Sequence, residues 1–546
     1  MFIYLVLGLV AIIAFKFFHR DNVIEFTVPV PKEAKPGWNN GKILDKPNIR
    51  DPKNPGFIQC YDPATGQLLD TIKAHTENDI VESLKKARNA QIKWSKTTFS
   101  ERRNVLKSLL NFIVRNQEEI CWVSLLDAEF GEIMVTCERI RWTIKNGENA
   151  LSPQYRDVPM IMPYKIAKLE FEPLGVVSAI ISWNYPFHNA MGPIISALFA
   201  GNGILVKCSE QVAWSMKYFS DIIKKCLIQC GHDPDIVQFL CGFPDCGKSL
   251  VQSGLDGITF IGYLNRIGKK IMQTASNTLT PCILELGGKD SAIIRHDTDL
   301  DKTISIILLK RVLNNIKLMR VGCSLNDEDK VDIGAITMSD HTEKITTLIK
   351  SAISQGAILL HGGHVYNHPN YPKAQYYTPT LLTNVTSQME IAKTEIFAPV
   401  MVIMKFKSDE EAIEIANITP YGLGNSIFTS DQNKKYWMAK KLRCGMVNWN
   451  DFGASYLCNL PFGGVGNSGF GRFAGVEGLR SQCLMKSITF DRFPSIIKTN
   501  IPQLLTYPIS TNGSMFVNNL IKVIYENNWL NKVKAILELI KVSIKE

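Results

Sequence analysis

Four short apolar runs, each separated from the next by a helical stretch, constrain this chain more than any other feature. They are Val176-Val177-Ser178-Ala179-Ile180-Ile181, Ile204-Leu205-Val206-Lys207, Val237-Gln238-Phe239-Leu240 and Ile258-Thr259-Phe260-Ile261. A small-residue helix is expected over 190–201, after the first run. Continuous apolar strands separated by helices predict a parallel sheet covered on both faces. Such doubly wound α/β sheets bind ligands, dinucleotides among them, beyond the carboxyl ends of their strands.

A fifth run, Cys282-Ile283-Leu284, ends in Glu285 and then bends through Gly287-Gly288 before Lys289-Asp290. A glutamate between leucines is poorly solvated unless it faces a cleft. Desolvation raises a carboxyl pKa toward the range of a general base. Asn184 stands just beyond the first strand, in Ser182-Trp183-Asn184-Tyr185-Pro186-Phe187, and its amide donors suit an oxyanion hole. Lys207 and Glu210 end the second strand, where a carboxylate can take ribose hydroxyls and repel a 2′-phosphate. Gly262 ends the fourth strand and opens a helix, leaving room for a pyrophosphate. No GxGxxG follows any strand, so the usual dinucleotide fingerprint is absent. Glu395-Ile396-Phe397 and the glycine-rich loop over 461–471 read, alone, as turn chemistry.

At 546 residues the chain exceeds what one core supports, so several domains are expected. Residues 1–15 carry no charge, and Lys16, Phe17, Phe18, His19 and Arg20 follow. The charges come after the apolar run, unlike those of a cleaved signal, which predicts a transmembrane anchor over 1–20. Positive-inside logic then faces the body to the cytosol. The expected order is an anchor at 1–20, a Pro/Lys/Asn-rich linker at 21–56, a dinucleotide-binding domain at 57–284 and a catalytic domain at 285–480. Residues 481–546 add a strand and amphipathic helices at 515–526 and 529–545. Thirteen scattered cysteines without a CxxC pair read as reduced thiols. A net charge of +10 without zinc-finger spacing or a long basic run lends a nucleic-acid role no support.

The strings ISWNYPF, AGNGILVKCSEQ, LELGGKD, EIFAPV, YGLGNSIF and LPFGGVGNSGFG follow one another between residues 57 and 490. Together and in this order they resemble the aldehyde dehydrogenase superfamily. The two terminal extensions look closest to its fungal membrane-anchored branch. The resemblance implies an α/β fold with an NAD-binding parallel-sheet domain and a catalytic α/β domain. It also implies a homo-oligomer assembled through strands at 155–175 and after 481, on the endoplasmic reticulum membrane. The implied reaction is NAD-dependent oxidation of an aldehyde to a carboxylic acid, with no metal. Asn184 would be the oxyanion donor and Glu285 the base that activates the deacylating water. Trp183, Lys207, Glu210, Gly262, Glu395 and Phe397 would contact NAD.

One part of the pattern is missing. The family's chemistry needs a cysteine thiolate that attacks the aldehyde, carried on a Gly-Gln-type loop after the glutamate. Residues 310–324 contain no Gly-Gln-x-Cys. Cys323 lies 38 positions past Glu285, but Asp332-Ile333-Gly334-Ala335, nine residues later, resembles a segment well beyond the family's nucleophile. The spacing reads as a loss of roughly 20–30 residues after Arg311 that removes the cysteine loop and a strand. The chain as written is therefore expected to lack a thiol near Asn184. Two origins stand: an in-frame segment dropped from the reading of the gene, or a protein that has lost catalysis.

Overall fold

The structure is a computed structural model that describes residues 23–124, 129–262, 265–298, 309–325, 331–338, 340–452, 457–496, 501–509 and 511–544. It divides into two compact units. One holds the chain up to Ala150 together with Pro173–Cys483, and the other holds Leu151–Glu172 together with the chain from Leu484 on.

The larger unit is built on a six-stranded sheet. Its parallel strands are β1 (Val176–Ile180), β2 (Gly203–Cys208), β3 (Val237–Cys241), β4 (Gly257–Ile261) and β5 (Cys282–Glu285). The order is β5-β4-β1-β2-β3, closed beyond β5 by the antiparallel pair Gly469–Phe470. Every residue of β1, β2 and β4 is buried, which explains why these strands read as continuous apolar runs rather than alternating ones. The connection from β1 leads outward to β2, whereas β4 returns to the other side of β1. The crevice beyond Ile180 and Ile261 is thus the switch point of the sheet. Helices Glu77–Trp94 and Phe99–Arg115 each begin with a capping box, Thr76 with Asp79 and Thr98 with Glu101.

Residues 23–56 contain no long helix or strand and lie along the body. Phe26 stacks on Phe112 with ring centroids 4.7 Å apart, and Ser108 Oγ accepts the Ile24 N–H at 2.9 Å.

The rest of this unit holds two three-stranded sheets. In one, β6 (Ser291–Ile294), β10 (Gly424–Phe428) and β11 (Met446–Trp449) are parallel. In the other, β7 (Ile358–His361) runs antiparallel to β8 (Thr380–Thr383), and β8 runs parallel to β9 (Val400–Val402). Among the described residues β6 pairs only with β10 and β9 only with β8. Each is a parallel edge, and Met401 on β9 is 46% exposed. Every open sheet has such edge strands, so the pairing by itself leaves the expected loss after Arg311 where the sequence put it. The helix Leu309–Leu318 spans the junction at Arg311 and packs Val312 and Ile316 against Leu381.

In the smaller unit, the strand Lys165–Pro173 pairs antiparallel with Gln154–Arg156 and is flanked on its other side by Cys483–Asp491. The helices Thr511–Tyr525 and Trp529–Ile544 form a hairpin with Ala535 and Val542 buried.

The transmembrane anchor expected over 1–20 lies outside the described residues. Among the described residues no helix is long and apolar enough to cross a membrane. A crossing takes about 20 apolar residues. The helices of the C-terminal hairpin have 15 and 16 residues and carry lysines. The anchor is withdrawn, and with it the membrane partner and the endoplasmic reticulum placement that depended on it.

Candidate active site

At the switch point a cavity of about 290 Å³ opens among residues drawn from both parts of the larger unit. Six of the eight residues singled out in the sequence line it: Trp183, Asn184, Gly262, Glu285, Glu395 and Phe397. Lys207 and Glu210 do not. They stand at the carboxyl end of β2, with Lys207 Nζ 3.8 Å from Glu210 and Lys207 only 5% exposed.

Asn184 is oriented by its neighbours. Its Oδ1 accepts from Ser182 Oγ at 2.6 Å and from Asn189 Nδ2 at 3.2 Å. With the carbonyl side occupied, its two amide hydrogens are the groups left for a ligand.

Glu285 ends β5, and its backbone carbonyl accepts the Gly262 N–H at 2.9 Å, tying the two strand ends together. Burial pushes its carboxyl up to about 7, with the nearby charge of Asp290 adding to the rise. Asp290 is itself raised to about 6 by burial, although it accepts the Gly424 N–H at 3.1 Å. Glu395 Oε1 accepts the Gly288 N–H at 3.2 Å, and burial raises its carboxyl to about 8. The second oxygen, Oε2, is buried without a hydrogen-bond partner. Gly287 is a structural requirement: its φ is +94°, and the Glu395 carboxylate fills the place a Cβ would take. Phe397 holds a left-handed φ of +51° and meets the Trp183 ring edge-on, centroids 5.5 Å apart. Strain of this kind at a ligand-facing residue is typical of a built site.

Sequence reasoning missed several contributors. Asp290 stands in the quoted Gly-Gly-Lys-Asp string but was assigned no role. Arg139 and Cys458 line the cavity from elements far away in the chain, and no local signal marks them, whereas Phe462 stands in the glycine-rich loop already noted. All thirteen cysteines are described, and Cys458 is the one that lines the cavity Asn184 faces. Its Sγ lies 3.7 Å from the Val135 carbonyl oxygen, and burial raises its thiol pKa above the ordinary value, against the pull of the Arg139 charge. Cys323 is 3% exposed beside the Val321–Ile333 bridge and does not line the cavity.

A model of the aldehyde dehydrogenase family matches residues 49–315 and 308–488, and the chain belongs to that family. It is 40% identical to an aldehyde dehydrogenase-like protein of Saccharomyces cerevisiae, over 95% of this chain and 87% of the relative. It is 41% identical to one of Schizosaccharomyces pombe, over 88% of this chain and 98% of the relative. Among solved structures, an aldehyde dehydrogenase of Bacillus cereus in its NAD+ complex has a TM-score of 0.73 and 27% identity, covering 80% of this chain and 94% of that one. A betaine aldehyde dehydrogenase of Staphylococcus aureus has a TM-score of 0.74 at 24% identity, covering 83% and 97%, and shares the fold. The Saccharomyces alignment runs over 566 positions, whereas 95% of 546 residues is about 519, so about 47 positions face gaps in this chain. The two pieces of the family match meet at 308–315, the junction at Arg311 where the missing segment was read.

Proposed function

We propose that this chain is an NAD-binding aldehyde dehydrogenase-type protein whose thiol step does not run in the chain as it stands. The observation that carries this is the cysteine inventory: Cys458 alone lines the cavity, and burial holds it as a thiol. The residues fit NAD. The orphaned Glu395 Oε2 is a buried polar atom left to exchange a hydrogen bond with a ligand hydroxyl. Lys207 and Glu210 suit the ribose of an adenosine, Glu210 favouring NAD over its 2′-phosphorylated form. Gly262 leaves room for the pyrophosphate, and Trp183 and Phe397 wall the nicotinamide end. Bound NAD would supply the hydride acceptor. Toward an aldehyde, Asn184 donates to the carbonyl oxygen, and Glu285 takes a proton from water once ionised. The division at 284/285 and assembly of copies through the 155–175 and 481–491 strands belong to the same reading.

A second reading rests on one observation, that Cys458 shares the cavity with Asn184. In it Cys458 replaces the family nucleophile. Titration of the purified 546-residue chain with NAD, followed by aldehyde, separates the two. NAD binding without NADH formation supports the first. Turnover abolished by Cys458→Ala supports the second, and turnover abolished by Cys323→Ala overturns both assignments. Absence of NAD binding sinks the family-type function altogether.

A further inference from the structure

Arg139 is a buried cation with too few partners. It lies on the helix Val135–Leu151, is 5% exposed and lines the cavity one turn after Val135. Its Nη2 donates to Ser196 Oγ at 2.8 Å, and no other acceptor or carboxylate partners it among the described residues. A guanidinium has five N–H donors. The other buried arginines show what completion looks like. Arg102 donates to the Phe199 and Ser95 carbonyls and to Thr97 Oγ1. Arg295 donates to Asp409, Asp297 and Thr429.

The other groups around Arg139 do not supply the missing anion. His188 Nδ1 is bonded to Thr136 Oγ1 at 2.9 Å, and burial together with the Arg139 charge holds the imidazole neutral. Cys458 is held as a thiol by burial. Burial lowers Arg139 only to about 10, so it stays charged at neutral pH. A buried charge without a counter-charge is costly, and the open side here is the cavity.

We infer that the cavity takes a ligand with an anionic group, and that Arg139 binds that group as a carboxylate. Guanidinium and carboxylate match as a two-bond fork, which gives orientation as well as attraction. Resting on the aldehyde-site reading above, this names the substrate class as aldehydes carrying a carboxylate at the far end from the carbonyl. Arg139 is then the residue that distinguishes them from neutral aldehydes of equal length.

The test is calorimetric and needs no turnover. The full chain, saturated with NAD, is titrated with matched pairs of short aldehydes, each pair a neutral alkanal and the ω-carboxylate aldehyde of the same carbon count. At the best length the carboxylate form is expected to bind at least about ten-fold more tightly. Arg139→Met removes that preference. Arg139→Gln, which keeps a donor for Ser196 and loses the charge, removes it too and guards against a folding defect in the first variant. No preference at any length, or a preference that survives both substitutions, overturns the inference. If NAD binding is intact in that case, the aldehyde-site reading stands and only the carboxylate subsite falls. If neither NAD nor any aldehyde binds, both fall together.

Discussion

Glu132 caps a helix that begins 54 positions later in the chain: its Oε2 accepts the Phe187 N–H at 2.6 Å and that of His188 at 2.9 Å. The helix Pro186–Ala200 starts two residues after Asn184, so this cap sets where the Asn184 amide sits. Its own N-cap residue, Tyr185, offers no side-chain acceptor to the first turn. Glu132→Ala should cost about 1–3 kcal/mol, because it leaves two buried donors unmet. Glu132→Gln retains an acceptor and should cost less. Thermal midpoints of the two variants check this ranking, and equal midpoints would contradict it.

The buried carboxyls predict how stability depends on pH. Burial raises Glu132 and Glu285 to about 7 and Glu395 to about 8, against 4.5 for the free side chain. A raised carboxyl binds its proton more tightly in the folded chain. Its contribution is therefore fully present below pH 4.5 and is lost as pH climbs to its folded value. Glu285→Gln should stabilise the chain at pH 9 by on the order of a few kcal/mol relative to its effect at pH 5. Melting curves at both pH values test the sign. An effect that does not change with pH would rule out the ionised carboxyl as the cause.

Lys207 and Glu210 should govern the dinucleotide. Lys207→Ala should weaken NAD binding by about ten-fold or more. Glu210→Ala should narrow the difference between NAD and its 2′-phosphorylated form, because the repelling carboxylate is gone. Both are read as dissociation constants from quenching of tryptophan fluorescence. Unchanged NAD affinity in Lys207→Ala would remove β2 from the binding site.

The segment expected to be missing after Arg311 predicts a deficit of stability. Sequencing the transcript across the codons for Arg311 and Val312 should reveal an extra in-frame segment carrying a cysteine if the loss arose in reading the gene. A chain with that segment restored should unfold at a higher temperature, by several kcal/mol of regained pairing. It should also oxidise aldehydes. Equal thermal midpoints for the two forms would argue against a missing strand.

Much of this was legible in the residues. The buried runs that became β1, β2, β3 and β4 announced a parallel sheet because a strand covered on both faces has no wet side to alternate with. Glu285 was conspicuous for the opposite reason, as a charge among leucines. The apolar N-terminus suggested an anchor, whereas the described chain has no helix able to cross a membrane. The inventory of thiols was sound, but distance along the chain concealed Cys458, which lies 274 positions after Asn184 and shares its cavity.

Hydrophobic periodicity and the ordered motifs are local properties, so the residues alone specify the sheet, its helices and the set of groups able to do chemistry. Folding then selects which of those groups act together. It left Glu395 Oε2 without a partner and placed Arg139 beside a neutral histidine with one hydrogen bond. Both are consequences of burial and of what is missing nearby, and burial is a property of the folded surroundings that no stretch of residues carries alone.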